Sequence, residues 1–248
     1  MLQEITIDNR YAIMDKGTSD GTQIKYFKDN YWYKIDRYGG EGEAEALASV
    51  ILKLSAYPSK KYVTYHQIII NGRPGCMSRN FMRRNEQFVT LYRLYRNVTG
   101  RDLASVTQMM DYDDAIEFVL DFVLTHTSVD LRGYLADIFT LDELILNDDR
   151  HFNNLGLLFD GESFRPAPIF DNGKSLLVGH SQPLDKQPLN EQPFAKAFSG
   201  SFSLNRAYLQ DYATLKLNRR AISTYLEENQ QAISPRALSI LTETLLSD

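Results

Sequence analysis

The hydrophobic periodicity of this chain changes once, near residue 85, and that change limits the fold more than any other feature of the sequence. Before it, residues 4–14, 23–28, 31–36 and 62–71 are rich in Ile, Tyr, Phe, Thr and Val and are separated by turns holding Gly, Asp or Asn, a pattern of β-strands. One helix interrupts them at about 43–54, where Ala44, Leu47, Ala48, Ile51 and Leu52 recur at three- and four-residue steps and so share a face. After the change the spacing is helical over 86–96, 113–125, 131–146, 209–217, 219–230 and Pro235–Leu246. The last of these has Ser234 as N-cap and Pro235 at the first helical position. A hairpin, 155–159 and 163–169, turns at Asp160-Gly161 and breaks into the helical half. The predicted architecture is α+β and bilobal: a small β-rich N-lobe with one helix, residues 1–82, and a larger, mainly helical C-lobe, residues 83–248.

Bulk properties exclude several classes of protein. With 248 residues the chain can bury a core without staples, and its single cysteine, Cys76, rules out an internal disulfide and suits a reducing compartment. The N-terminus, MLQEITIDNR, carries acidic residues where a signal peptide would be basic, and no apolar run approaches the length of a membrane span. A cytoplasmic location with no membrane partner is expected. A net charge of −5 argues against a surface that tracks nucleic acid. The local basic groups, Arg73, Arg79, Arg83 and Arg84, then Arg93, Arg96 and Arg101, read as a solvated rim. His66, His126, His151 and His180 share no helical face and have no cysteine partner, so zinc is not expected.

The chemistry is concentrated in Leu146-Asn-Asp-Asp149-Arg150-His151-Phe-Asn-Asn154, which follows an apolar helix, and in Pro168-Ile-Phe-Asp171-Asn-Gly173, which follows the hairpin. Phosphoryl transfer needs a carboxylate to orient or deprotonate an acceptor hydroxyl and hard oxygen ligands to hold Mg²⁺ against a triphosphate. An Asp, an Asn five residues on, and a later Asp-x-Gly meet both needs, with the spacing of the protein-kinase catalytic and metal loops. Asn147, Asp148 and Asp149 alone would read as helix-ending turn residues; Asp171 and the upstream features favour chemistry. Upstream, Gly17-Thr18-Ser19-Asp20-Gly21-Thr22 lies between two strands, where small residues let backbone N–H groups approach a phosphate. Lys34 sits in the strand Tyr31-Trp-Tyr-Lys-Ile among apolar neighbours, the setting in which a kinase grips the α- and β-phosphates. Such a lysine needs an acidic partner. Glu41, Glu43 and Glu45 are on offer, Glu45 favoured and Glu43 next. His151 reads as a side-chain donor that holds the loop backbone.

These residues resemble the HipA-like serine/threonine kinases, in particular short members that consist of little more than the kinase-like domain. Gly17 to Lys25 looks like the family's phosphate loop, Tyr33-Lys34 its ATP lysine, and Glu41-Gly-Glu-Ala-Glu45 the start of its lobe-bridging helix. Asn147 to Asn154 looks like its catalytic loop, and Pro168 to Asp171 its metal loop. The resemblance implies a bilobal protein-kinase-like fold, ATP and Mg²⁺ as cofactors, Asp149 as catalytic base, and Asn154 with Asp171 as Mg²⁺ ligands. It also implies autophosphorylation in the phosphate loop, where Thr18, Ser19 and Thr22 are the matching hydroxyls, a protein acceptor, and a toxin-like role. HipA toxins meet their antitoxin through an N-terminal subdomain, whereas this sequence starts almost directly at the phosphate loop. An antitoxin-like partner therefore rests on resemblance only. Asp149-Arg-His-x-x-Asn154 is also the loop pattern of phosphatidylinositol kinases, so a lipid or small-molecule kinase ranks second. That alternative is disfavoured by the acidic charge and the lack of an amphipathic anchor. A third reading, a pseudokinase-like binding module, is opposed by the intact set Lys34, Asp149, Asn154 and Asp171.

Overall fold

A computed structural model describes residues 2–13, 23–180, 189–191, 195–198 and 200–247. In its N-terminal part, β1 (Gln3–Ile5), β2 (Ala12–Ile13), β3 (Lys25–Lys28), β4 (Tyr31–Ile35), α1 (Glu41–Leu54), β5 (Tyr65–Ile70) and β6 (Arg73–Arg79) follow in chain order. The strands form one six-stranded sheet in the order β1-β5-β6-β4-β3-β2, with β1 parallel to β5 and the other pairs antiparallel. Then come β7 (Gln87–Thr90), α2 (Leu91–Thr99), α3 (Leu103–Thr107), α4 (Tyr112–Thr127), α5 (Arg132–Ile145), β8 (Gly156–Phe159), β9 (Phe164–Pro166), α6 (Phe202–Leu209), α7 (Arg219–Glu228) and α8 (Pro235–Leu246). Strands β7, β8 and β9 make a small antiparallel sheet. The expected β-sheet lobe and helical lobe are both present.

Helix α1 belongs to both lobes. It packs on β5 and β6, yet Ala44, Leu47, Ala48, Ile51 and Leu52 lie in the same buried cluster as the apolar faces of α4, α5 and α8. The sheet has a separate core of Ile7, Tyr26, Tyr33, Ile35, Ile68 and Ile70. Asp36 fixes the start of α1 by accepting from the backbone N–H of Gly40 and of Gly42, each at 2.8 Å. The lobes are also joined by backbone: Ile169 donates to Lys61 O at 2.8 Å, and Val63 donates to Ile169 O at 2.9 Å.

Three local expectations need correction. The strand expected at 4–14 is broken because Asp8 caps a 3₁₀ turn at Asn9–Tyr11, accepting from Arg10 N–H at 2.8 Å. The helix expected from 86 starts only at Leu91. Thr90 Oγ1 accepts from Arg93 N–H at 3.1 Å as its N-cap, and Gln87–Thr90 pair with β8 instead. The helix expected at 209–217 is absent. Ser201 caps α6 earlier, and the N–H groups of Thr214 and Leu215 both go to buried Asp137 Oδ1 at 2.6 Å rather than to helical carbonyls. Strand β6 was not anticipated. It runs between β5 and β4, and its Pro74 lies near the strand's start, where a missing N–H is tolerated.

Gly75 in β6 lies opposite Ile35, and a Cβ there would strike the carbonyl oxygen of Lys34. Gly75→Ala is expected to lower stability by roughly 1–3 kcal/mol, the usual cost of overpacking, read as a lower urea midpoint at unchanged m-value.

Candidate active site

Strand β4 carries Lys34 into the space between sheet and helical lobe, where its Nζ lies 2.8 Å from Glu45 Oε1 and 2.6 Å from Asp171 Oδ1. Of the three glutamates offered by α1, Glu45 therefore meets the lysine. The others have different tasks: Glu43 Oε1 accepts from Ser234 N–H at 2.6 Å, at the start of α8, and Glu41 Oε1 accepts from the N–H groups of Arg37 and Tyr38. The second oxygen of Glu45 accepts from Asn172 N–H at 2.8 Å. One carboxylate thus ties β4, α1 and the loop after β9 together.

The electrostatics of this trio are set by competition between burial and charge. Burial alone would lower Lys34, but Asp171 and then Glu45 carry its pKa well above the usual lysine value. For Asp171, burial pushes upward and is outweighed by Lys34, with Lys25 adding, so the carboxyl is held far below its ordinary range. For Glu45, burial prevails over the pull of Lys34, and the carboxyl is raised. Asp171 is thus the firm anion of the pair. Its backbone φ of 59° falls in the left-handed region, which Asp tolerates better than most residues, and its side chain keeps 33% exposure, enough to meet a ligand.

The loop after α5 is held by its own polar side chains. Asn154 Nδ2 donates to the carbonyl of Asp149 at 2.9 Å, and Asp149 N–H donates to Asn147 Oδ1 at 3.2 Å. The expectation for His151 needs correction. Among the described residues its Nδ1 has no partner, and its Nε2 lies 3.9 Å from Asp149 Oδ2, so the loop backbone is held by Asn154 and Asn147 instead. Asp148 accepts from His180 Nε2.

The central element, Arg150, was not singled out from sequence. Its buried guanidinium donates to both oxygens of Asp142 in α5 at 2.9 and 3.0 Å, to Phe170 O at 2.5 Å and to Asn172 Oδ1 at 2.6 Å. A planar fork with five donors suits this task better than a lysine would. It fixes the Asp149 loop against the Asp171 loop. The expected phosphate-loop residues Gly17, Thr18, Ser19, Asp20, Gly21 and Thr22 lie outside the described residues.

The donor set fits Mg²⁺ with a nucleotide. Asp171 offers an ionised carboxylate, and Asn154, with its Nδ2 engaged, has its amide oxygen left for a hard cation. Mg²⁺ commonly uses one or two protein oxygens together with phosphates and waters. Among the described residues no three His, Cys, Asp or Glu cluster as a metal cage.

A β-sheet lobe and a helical lobe, joined by a shared helix and with a Lys–Glu pair facing an Asp loop, define the protein-kinase-like fold. No protein-family model and no curated protein matches the sequence. Solved structures do match. The chain is similar to the Helicobacter pylori proinflammatory kinase CtkA, with a TM-score of 0.68 and 17% identity over 99% of this chain and 93% of that one. It is also similar to HipA of Shewanella oneidensis MR-1, solved with HipB and operator DNA, with a TM-score of 0.53 and 13% identity. That match covers 96% of this chain and 65% of HipA. The fold is the one seen in HipA and CtkA. No helix among the described residues is long and apolar enough to cross a membrane.

Proposed function

We propose that this chain is an ATP-dependent serine/threonine protein kinase of the HipA type, with nucleotide held between an N-lobe ending near residue 82 and the C-lobe. The observation that carries this reading is Lys34, shared between Glu45 and Asp171 across 137 residues of sequence, beside a loop bearing Asp149 and Asn154. In this reading Lys34 grips the α- and β-phosphates while Glu45 holds it in place, and Gly17 to Thr22 cover the triphosphate with backbone N–H groups. Asn154 and Asp171 would hold Mg²⁺, which supplies neutralisation of the phosphate charge. Asp149 accepts the proton of the acceptor hydroxyl as that oxygen bonds to the terminal phosphorus and the bond to the leaving ADP oxygen breaks. His151, whose ring nitrogen lies 3.9 Å from Asp149 Oδ2, is the remaining candidate catalytic residue. A toxin-like role and an antitoxin-like partner are supported by the likeness to HipA, which was solved with HipB.

Label transfer from Mg·ATP to the chain and to casein tests the reaction class. Acid hydrolysis of the product is expected to release phosphoserine or phosphothreonine, whereas label found only in added phosphoinositide would replace this reading with a lipid kinase.

Control through the phosphate loop is part of the proposal. Thr18, Ser19 or Thr22 is expected to be an autophosphorylation site, because a phosphate there adds about −1.5 to −2 charges and competes for the N–H donors that the triphosphate needs. Phosphosite mapping, then nucleotide titration of modified and unmodified protein, checks this. Modification confined to distant sites, or equal affinity in both forms, would discard the control mechanism alone.

A further inference from the structure

A lysine outside both loops contacts Asp149. Lys196 Nζ lies 2.5 Å from Asp149 Oδ1, while the His151 ring faces the other oxygen at 3.9 Å. The lysine side chain is 52% exposed, and an exposed ion pair commonly contributes little. This one is built into the fold. Two residues on, Phe198 is fully buried, packed edge-on against Phe139 of α5 at 5.9 Å and against Phe152, in the same loop as Asp149, at 5.3 Å. Between the anchor and the lysine, Ala197 has φ of 74°, a left-handed conformation that residues with a Cβ rarely adopt, and such strain tends to sit at functional positions. Ala195 and Lys196 also line a small cleft with Asp142, Asn147 and Arg150, the residues that fix the loop.

We propose that Lys196 is a positioning residue for phosphoryl transfer: by holding Oδ1 of Asp149 it orients the carboxylate so that Oδ2 receives the proton of the acceptor hydroxyl. The inference rests on Asp149 being the base. A displaced base costs rate rather than nucleotide affinity, since the contact is made on the acceptor side of the transfer.

The test compares wild type, Lys196→Met and Lys196→Arg as full chains, measuring label transfer from Mg·ATP to casein and to the chain itself across nucleotide concentrations. Lys196→Met is expected to lower the maximal rate about 100-fold, the scale of a misplaced reacting group. Its half-saturating ATP concentration should stay within about twofold, the signature of an interaction made in the transition state. Lys196→Arg, which keeps a cationic donor, is expected to remain within about tenfold of wild type. A Met variant as fast as wild type or faster, an equal fall in Met and Arg, or a loss carried by ATP affinity would overturn the role of Lys196 alone. A wild-type chain that transfers no label would overturn it together with the assignment of Asp149.

Discussion

Asp149→Asn is expected to leave the fold and most of the ATP affinity intact while lowering transfer about 10³-fold, within the range that general-base catalysis contributes. Asn is nearly isosteric with Asp, and the loop's backbone is held by Asn147, Asn154 and Arg150, not by the Asp149 carboxylate. Asp171→Asn should fail differently. It removes the firm anion of the Lys34 trio, so Mg²⁺-dependent nucleotide binding is lost, whereas Lys34 keeps its bond to Glu45. Nucleotide titrations with and without Mg²⁺, alongside transfer rates, separate the two. Equal, wild-type-like transfer by both variants would refute the assignment.

Arg150→Met is expected to be among the most destabilising single changes in the chain. It leaves the buried Asp142 carboxylate without its cation, a loss of about 3–5 kcal/mol when one partner of a buried pair is removed. It also strips Phe170 O and Asn172 Oδ1 of their donor. Replacing both partners, Asp142→Leu with Arg150→Met, should recover much of the stability, because an apolar pair leaves no buried charge behind. The recovered protein should remain slow in transfer, since the two loops are no longer tied. Urea midpoints of the single and double variants decide the first point. A single variant as stable as wild type would show that Asp142 is not held as an ion.

The parts of the site legible in the sequence were those encoded at short range. Lys34 stands in a short strand among the apolar residues Tyr31, Trp32, Tyr33 and Ile35, and Asp149, Asn154 and Asp171 follow a spacing that ordinary turns do not require. Helix α1 was legible because Ala44, Leu47, Ala48, Ile51 and Leu52 repeat on one face. What was missed was decided by distant partners. The stretch Arg73–Arg79 contains two Arg, a Pro and a Gly and shows no strand pattern, yet β4 and β5 on either side make it a central strand. Residues 209–217 look helical until Asp137, 77 residues away, claims the N–H of Thr214. Nothing local in the sequence marks Arg150 or Lys196. Arg150 is buried because Asp142 and Asn172 converge on it, and Lys196 reaches Asp149 because Phe198 is anchored between two other aromatic rings.

Phosphoryl transfer by this chain is tested most directly by intact-mass measurement after incubation with Mg·ATP. Wild type is expected to gain at least one phosphate, and Asp149→Asn to gain none over the same interval. An unchanged wild-type mass, with nucleotide bound and no label passed to casein, would contradict the kinase reading and leave a nucleotide-binding module in its place.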